Sequence, residues 1–322
     1  MSANNSTFTN DEWKGSTTLL VTMTALTLLT NGYVLILFAM HRSLQTSFIV
    51  YVSSLLWSNI FETLFDLMDI MQYARYHWYF TSTLCNFRIY AQWITGAAVV
   101  HSHFIITVNR LWAATFPLHY RNYHSRKIAI LLCWLVVIYY HLLICPMLII
   151  DYVYYRPNMD NVTDCDVIFS AQPQYAGFIE IWIYIMPIVI MLLSYPYLLW
   201  RRNQVKIFRV PPGHAGALEK REAVSGGQHG FRVLTVLTGS IVVCWTTVKT
   251  HWILLGFCGT NLPTLHLVGS ALYSVQRIID PILCVLALEK FRIFCIIAHM
   301  QTVIECEVVS SAQPVLRRFL KI

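Results

Sequence analysis

Charged residues are scarce in this chain of 322 residues. Asp, Glu, Lys and Arg make up 12% of it, whereas apolar residues make up 57% and the mean hydropathy is +0.54. A water-soluble fold carries about twice that share of charge. The chain also lacks any long polar low-complexity tract, and its aromatic content of 14% excludes intrinsic disorder. The composition therefore predicts a protein that lies in a lipid bilayer.

Enzyme and nucleic-acid-binding patterns are missing as well. No HExxH or GxSxG sequence occurs, and His101 and His103 point to nearly opposite sides of a helix, where they cannot share a metal. We expect that the protein is not an enzyme and that it binds no metal and no cofactor. The nine cysteines are too sparse for a small disulfide-stapled protein. The net charge of +7 comes from short loops between apolar runs, which favours membrane topology over nucleic-acid binding.

Seven apolar stretches are long enough to cross a bilayer as helices, which takes roughly 20 residues each. They lie at about 18–41, 47–71, 83–112, 128–150, 175–200, 231–256 and 264–288. This pattern predicts an all-α membrane protein: a seven-transmembrane-helix bundle over 18–288, an extracellular N-terminus over 1–17, and a short amphipathic eighth helix and cytoplasmic tail over 289–322. The N-terminal segment lacks the basic start of a cleavable signal peptide, so the first span is expected to be an uncleaved signal anchor.

Basic residues predict the direction of the spans. With the N-terminus outside, sixteen of the twenty-three Lys and Arg residues fall in cytosolic segments and three in outer ones. The glycosylation sequons at Asn4, Asn5 and Asn161 fall on the same outer side. The sequence therefore predicts a multi-pass plasma-membrane protein with an extracellular N-terminus and a cytoplasmic C-terminus.

Landmarks in six of the seven predicted spans resemble those of the rhodopsin-like (class A) G-protein-coupled receptors. They are Asn31-Gly32-Tyr33-Val34, Cys85 with Asn109-Arg110-Leu111, Trp134, Pro187 with Tyr195, Cys244-Trp245-Thr246-Thr247, and Asp280-Pro281-Ile282-Leu283-Cys284. They follow the order and spacing of that family. The resemblance implies a receptor that binds an extracellular ligand and activates a heterotrimeric G protein at its inner face.

Two cysteine assignments accompany the resemblance. It implies a disulfide between Cys85 and Cys165 on the oxidising outer side, which would hold the second outer loop over the bundle. The alternatives are two unpaired thiols, or Cys258 as the partner. Cys295, in the predicted amphipathic helix, is a candidate for palmitoylation, and burial in apolar packing is the alternative.

The resemblance also implies a switch for G-protein coupling. It comprises Asn109, Arg110, Leu111, Tyr195, Asp280, Pro281 and Cys284. Family members restrain the arginine with a neighbouring acid and often with another on helix six, but Asn109 is uncharged and residues 226–230 contain no acid. Loss of these charge-assisted hydrogen bonds predicts high basal signalling. The alternative is that Arg110 extends to the lipid phosphates instead. Thr247 and Cys284 replace a proline and a tyrosine of the family, so whether the chain couples to a G protein in the ordinary way stays open.

The central cation site of the family is altered in this chain. Its helix-two aspartate falls at Asn59 and its helix-three serine at Val99. Asp280 remains, and Arg277 lies three residues earlier, about 60° around the same helix. We predict that Arg277 replaces the cation and pairs with Asp280 in a polar core that includes Asn31 and Asn59.

Ionisable residues at membrane depth predict a ligand pocket. Glu62, Asp66 and Asp69 recur at i, i+4 and i+7 and share one helix face, and lipid exposure would cost about 3 kcal/mol for each. The predicted pocket comprises Glu62, Asp66, Asp69, Gln92, Glu180, Trp245, Lys249 and Tyr273. Two interpretations remain open: the acids receive a cationic ligand, or Lys249 and Arg277, with Arg88, neutralise them internally.

Two ligand classes are disfavoured by the resemblance. Gln92 stands where amine receptors carry an aspartate, and Ser274 stands where opsins carry the retinal-binding lysine. A peptide or a small polar molecule is the expected ligand. The third inner loop, about 201–230, contains Pro and Gly clusters typical of a flexible loop. A transporter, for which no inverted repeat is evident, and a non-coupling decoy receptor are the competing functions.

Overall fold

The computed structural model describes residues 10–41, 46–75, 78, 80–156, 165, 167, 171–207, 236–254, 260 and 262–287. The described part of the chain contains nine helices and no β-strand. The helices are α1 Asn10–Met40, α2 Ser47–Arg75, α3 Ser82–Thr115, α4 Pro117–Tyr123, α5 Arg126–Ile150, α6 Pro173–Ile179, α7 Met186–Ile207, α8 at 236–254 and α9 Pro263–Ala287. Two π-helical segments continue them: Asp151–Tyr155 follows α5, and Glu180–Ile185 joins α6 to α7.

Five of the described helical stretches are long and apolar enough to cross a membrane. They are Thr18–Met40, Ser47–Met68, Arg126–Tyr155, Pro173–Trp200 and Leu267–Leu286. Helix α3 has 34 residues but carries buried polar side chains along its length, among them Arg88, His101 and His103. These polar groups lower the apolar content of α3. The helix can carry them because it lines the interior of the bundle.

The packing places α3 at the centre of the bundle. It contacts α2, α5 and α7, whereas α1 packs against α2 and α9. Ile89, Val99 and Ile106 of α3 are at most 1% exposed, whereas Trp134 and Leu142 of α5 are more than 60% exposed. A helix that is apolar on its outer as well as its inner face is typical of a membrane span. The exposed apolar surface is therefore the surface that faces lipid.

Local sequence signals start several of these helices. The Thr81 side chain accepts a hydrogen bond from the Leu84 amide at 3.3 Å before α3, and the Ser125 side chain accepts one from the Ile128 amide at 3.4 Å before α5. These side chains satisfy amides that have no partner within the helix. Pro117 begins α4, in the first-turn position that proline tolerates well.

The helices extend past several predicted limits. Helix α1 begins at Asn10, inside the segment expected to be the N-terminal extension. Helix α7 continues to Ile207, so residues 201–207 are helical and the predicted loop at 201–230 was too long at its start. The short helix α4 was not predicted. Polar residues can continue a helix beyond the bilayer, and an apolarity criterion does not detect them.

Gly269 allows α8 and α9 to approach closely. A methyl group at this position would lie 3.0 Å from the Val248 Cγ2 atom and 3.1 Å from the Val248 Cα and N atoms. We expect Gly269→Ala to destabilise the protein by about 1–3 kcal/mol, because the backbone of α8 must move to accept the methyl group. Thermal unfolding of the purified protein in detergent measures this change.

Gly239→Ala is the matched control in α8. A methyl group there meets nothing within 4 Å. Its stability should rise by up to about 1 kcal/mol, because alanine favours helix over glycine. Equal unfolding midpoints for the two variants would contradict the close approach at Gly269.

Candidate functional site

A disulfide lies at the N-terminal end of α3. It joins Cys85 to Cys165 with a Cα–Cα distance of 5.7 Å, which confirms the expected pair. Two arginines fix it: Arg88 donates a hydrogen bond from Nη1 to the Cys165 carbonyl oxygen, and Arg156 pairs with the buried Asp151 while its Nη1 lies 4.0 Å from the Cys85 Sγ. The disulfide and both arginines thus tie the segment around Cys165 to α3 and to the end of α5.

A largely buried ion pair joins α2 to α9. The Arg277 Nη1 lies 2.6 Å from the Asp66 Oδ2 and also donates to the Thr63 hydroxyl at 3.2 Å. The Arg277 Nη2 donates to the Ser274 hydroxyl at 3.4 Å, and the guanidinium carbon lies 4.7 Å from the centroid of the Tyr273 ring. Arg277 is 4% exposed. The arginine therefore points into the bundle, where a carboxylate and two hydroxyls compensate its charge.

A second ion pair joins α8 to the π-helical segment between α6 and α7. The Lys249 Nζ lies 3.0 Å from the Glu180 Oε1 and 3.1 Å from the Glu180 Oε2. The same ammonium lies 3.5 Å from the centroid of the Tyr184 ring, a cation–π contact. The Tyr184 hydroxyl donates to the Trp93 carbonyl oxygen of α3 at 3.1 Å. Lys249 is thus held between an acid and an aromatic face.

Three aromatic rings connect the two ion pairs. The Tyr184 ring stacks on Trp245 with centroids 5.8 Å apart, and Trp245 meets Tyr273 edge-on at 4.9 Å. The Tyr273 hydroxyl donates to the Glu62 Oε2. We call the two ion pairs and the three rings between them the polar–aromatic row. Its members are Glu180, Lys249, Tyr184, Trp245, Tyr273, Arg277 and Asp66. Within the described residues, Asp66 pairs with Arg277 and Glu180 pairs with Lys249. This agrees with the second of the two interpretations left open by the sequence, in which internal basic residues neutralise the acids.

The remaining predicted pocket residues surround this row. Glu62 is buried, Gln92 is exposed, and the side chain of Asp69 lies outside the described residues. A narrow cleft between α2 and α3 is lined by Glu62, Phe65, Asp66, Arg88 and Gln92. The structure thus brings Glu62 and Asp66 together with Arg88 and with Phe65, which the sequence did not single out.

An amide network occupies the centre of the bundle. The Asn59 Nδ2 donates to the Asn31 Oδ1 at 3.1 Å and to the Asp280 Oδ2 at 3.3 Å. The Asn31 Nδ2 donates to the Thr27 and Arg277 carbonyl oxygens, both at 2.9 Å. Side-chain amides therefore link α1, α2 and α9 at the level of the predicted polar core.

The partner of Asp280 differs from the prediction. Its Oδ2 lies 3.0 Å from the Nε2 of His103, whereas Arg277 pairs with Asp66, so the predicted Arg277–Asp280 pair was wrong. Three residues separate the two side chains by about 4.5 Å along the helix axis. Each therefore meets the neighbouring helix at its own level, Arg277 facing α2 and Asp280 facing α3.

His103 is the functional candidate that the sequence analysis missed. It is 1% exposed, and the Gln276 side-chain nitrogen also lies 3.2 Å from its Nε2. His103 lies four residues after Val99, so both are on one face of α3. A titratable residue one turn from the altered cation site was the signal that could have identified it.

The C-terminal end of α3 carries the predicted coupling residues. Arg110 is half-buried, its guanidinium carbon lies 3.7 Å from the centroid of the Phe48 ring, and no described acid pairs with it. The buried Asn109 amide makes no hydrogen bond within the described ranges. Cys284 is buried nearby in α9, and the predicted start of helix six at 226–230 lies outside the described residues. Arg110 is thus held by an aromatic contact here.

An aromatic–histidine cluster fixes α4 to the C-terminal end of α3 and the start of α2. The Trp112 Nε1 donates to the His119 Nδ1 at 3.1 Å, and the Tyr51 hydroxyl lies 3.1 Å from the His124 Nε2. The Tyr120 ring stacks on His124 at 4.3 Å. Burial lowers the pKa of His124 from its ordinary value, so this ring stays neutral at pH 7. The cluster gives the connection between α3 and α5 a defined shape.

Asn4, Asn5, Asn161 and Cys295 lie outside the described residues, as does the predicted amphipathic helix beyond residue 287.

Apolar helix surfaces with buried ion pairs and amides between them define an α-helical membrane protein with a polar interior. The family model described as 7 transmembrane receptor (rhodopsin family) matches residues 30–283. The chain belongs to this family, which confirms the resemblance drawn from its motifs. A comparison with curated proteins gives no match.

Proposed function

We propose that this protein is a plasma-membrane receptor that binds a small polar extracellular ligand and activates heterotrimeric G proteins, with high basal activity. The observation that carries the proposal is the arrangement of two sites along one bundle. The polar–aromatic row and its cleft lie toward the disulfide-closed end, and Arg110 lies at the other end of α3. A ligand that changes the row alters contacts among α2, α8 and α9, which is how a receptor transmits a signal.

The proposed topology has seven spans over 18–288, an extracellular segment at 1–17, and an amphipathic helix and cytoplasmic tail at 289–322. The basic-residue distribution supports this orientation. Disulfides persist on the extracellular side, so the Cys85–Cys165 bond supports the same direction. Glycosylation at Asn4, Asn5 and Asn161 and lipidation at Cys295 are consistent with it.

High basal activity follows from the surroundings of Arg110. Its neighbour Asn109 is uncharged, and the contact described for its guanidinium is the Phe48 ring. A cation–π contact at a partly exposed site contributes about 0.5–1 kcal/mol, less than the 1.5–3 kcal/mol typical of a hydrogen bond to a charged group. Arg110 is therefore only weakly restrained in the resting state, and a G protein that binds it has to replace only this weak contact.

We expect the unliganded receptor to activate a G protein in a cell-based assay, and Arg110→Ala to remove at least nine-tenths of that signal. Asn109→Asp should lower the basal signal several-fold, because a charge-assisted hydrogen bond contributes about twice as much as a neutral one. Signals are normalised to the amount of receptor at the cell surface. Wild-type protein with no basal signal would contradict the proposal of high basal activity and favour a decoy receptor.

A further inference from the structure

Three exposed basic residues lie close together where α4 ends and α5 begins. Arg121 is in the last turn of α4, and Arg126 and Lys127 are the first two residues of α5. We call these three residues the basic corner. The neighbouring His124 has its Nε2 3.1 Å from the Tyr51 hydroxyl, so the corner is level with the first turns of α2.

The sequence around the basic corner contains no acid. No Asp or Glu occurs between Asp69 and Asp151. Asp151 follows the last residue of α5, about 36 Å along the helix axis from Lys127. The two loops of chain that meet at the corner therefore bring positive charge to it and no carboxylate.

The carboxylates of the neighbouring described helices lie deeper in the bundle. Glu62 is about 16 Å further along α2 than Tyr51. Asp280 is fully buried against His103, which is about 14 Å along α3 from Trp112 beside the corner. At physiological salt the Debye length is about 8 Å, so these acids do little to offset exposed charges at the corner. Within the described helices, the positive charge of the corner is left without a nearby anion.

An exposed apolar surface continues from the basic corner along α5. Ile130, Leu131 and Trp134 are all exposed, and Leu131 and Trp134 reach 56% and 62%. The apolar span to which they belong starts at Arg126 itself. The corner is therefore at the level where the hydrocarbon of a bilayer meets its headgroups, and the acyl chains of a lipid bound there can pack on α5.

The amount of charge at the corner indicates the kind of headgroup that fits it. A simple anionic phospholipid brings a single net negative charge to the three cations of the corner. A phosphomonoester adds about −1.5 to −2 charges at pH 7 and three strong acceptor oxygens. Arginine binds phosphate oxygens in pairs through its planar fork, and lysine binds them as a point charge. A headgroup with one or two phosphomonoesters beside its phosphodiester therefore matches the corner in charge and in hydrogen bonding.

We propose that the basic corner binds the headgroup of a phosphoinositide in the cytosolic leaflet, with the acyl chains of that lipid along the exposed face of α5. A lipid is favoured over an acidic protein segment because the cations and the exposed apolar side chains form one continuous surface at the level of the bilayer interface. The bound lipid holds Arg121 of α4 and Lys127 of α5 together. It thereby stabilises the connection that Trp112 and His124 attach to α3 and α2. The inference goes beyond the proposed receptor function and rests on the proposed orientation of the bundle.

The test measures lipid binding to the full-length purified receptor in detergent by native mass spectrometry, with dioctanoyl phosphatidylinositol bisphosphate as the probe. This lipid should bind about tenfold more tightly than dioctanoyl phosphatidylserine, and its affinity should fall as salt is raised. Free inositol trisphosphate, which has headgroup phosphates and no acyl chains, should bind about tenfold more weakly than the lipid. Equal binding of phosphatidylserine would show a general attraction of anionic lipids, and equal binding of inositol trisphosphate would show a soluble phosphate site. Either result would overturn the proposal.

Variants locate the lipid at the corner. Arg121→Gln and Lys127→Gln should each weaken the bisphosphate lipid about fivefold, and the double variant about thirtyfold, because each basic residue near an anionic headgroup contributes about 1 kcal/mol. Lys127→Arg should keep the affinity. Lys14→Gln is the matched control, because it removes one positive charge near the start of α1, at the end of that helix away from its connection to α2. The changed side chains of the corner are exposed, so the unfolding midpoints of these variants should equal that of the wild type.

Unchanged lipid affinity in the double variant would place the lipid elsewhere and contradict the proposal. An equal loss in Lys14→Gln and Lys127→Gln would contradict it too, because it would show an effect of net charge alone. Basal G-protein activation, measured on the same protein without phosphoinositide, tests the receptor function separately. A double variant that loses this activation but keeps its lipid affinity would show that the corner binds the G protein instead.

Discussion

Replacing Arg277 by Gln is expected to lower the free energy of unfolding by about 3–5 kcal/mol, because it leaves the buried Glu62 and the half-buried Asp66 without their cation. The arginine is 4% exposed and lies 2.6 Å from the Asp66 Oδ2, so water does not replace the lost charge. Unfolding of the purified protein in a titration with sodium dodecyl sulfate measures the change. Cell-surface expression should fall with it.

A double-mutant cycle isolates the ion pair from other effects of the substitution. Asp66→Asn alone should also destabilise the protein, but less than Arg277→Gln, because Glu62 still faces the arginine. The double variant should recover part of the loss, with a coupling energy of about 1–3 kcal/mol. Additive single effects, with no coupling, would show that Arg277 does not interact with Asp66.

Replacing His103 by Leu is expected to destabilise the protein by about 3 kcal/mol, because Asp280 loses its partner on α3 and keeps, among the described residues, the hydrogen bond from the Asn59 amide. The His103→Leu/Asp280→Leu variant should recover most of this stability, because both polar groups are removed together. Unfolding in detergent at constant ionic strength measures both variants. A double variant less stable than His103→Leu would contradict the pairing.

The same contact predicts insensitivity to sodium. The imidazole of His103 lies 3.0 Å from the Asp280 carboxylate, so it occupies the place that a bound cation would need. Exchanging sodium chloride for choline chloride should therefore leave the unfolding midpoint of the wild-type protein unchanged. A midpoint that rises with sodium would mean that a cation binds at Asp280 in spite of His103.

The sequence predicts the class of fold because a long apolar run in the sequence corresponds directly to a membrane-spanning helix. The run at 47–71 became α2, Ser47–Arg75, and the run at 264–288 became α9, Pro263–Ala287. The disulfide followed from the resemblance, since Cys85 and Cys165 are 80 residues apart and no local pattern links them. The short helix α4 was missed because its seven residues form no apolar run of membrane length.

The partners of the buried charges could not be derived from spacing along one helix. Arg277 and Asp280 are three residues apart, and that proximity predicted a pair that the fold does not form. The observed partners, Asp66 and His103, are on α2 and α3. Predicting them requires knowing how α2, α3 and α9 are rotated about their axes and at what depth each side chain lies. The set of inward-facing groups was predictable from the cost of exposing charge to lipid, whereas the pairing was not.

The orientation of the bundle is the claim on which the ligand cleft and the coupling site both depend. Epitope tags at the two ends of the full-length chain test it in living cells. The amino-terminal tag should bind antibody on intact cells, and the carboxy-terminal tag only after permeabilisation. The reverse pattern would place the cleft in the cytosol and Arg110 outside, and it would contradict the account of this protein as a receptor for an extracellular ligand.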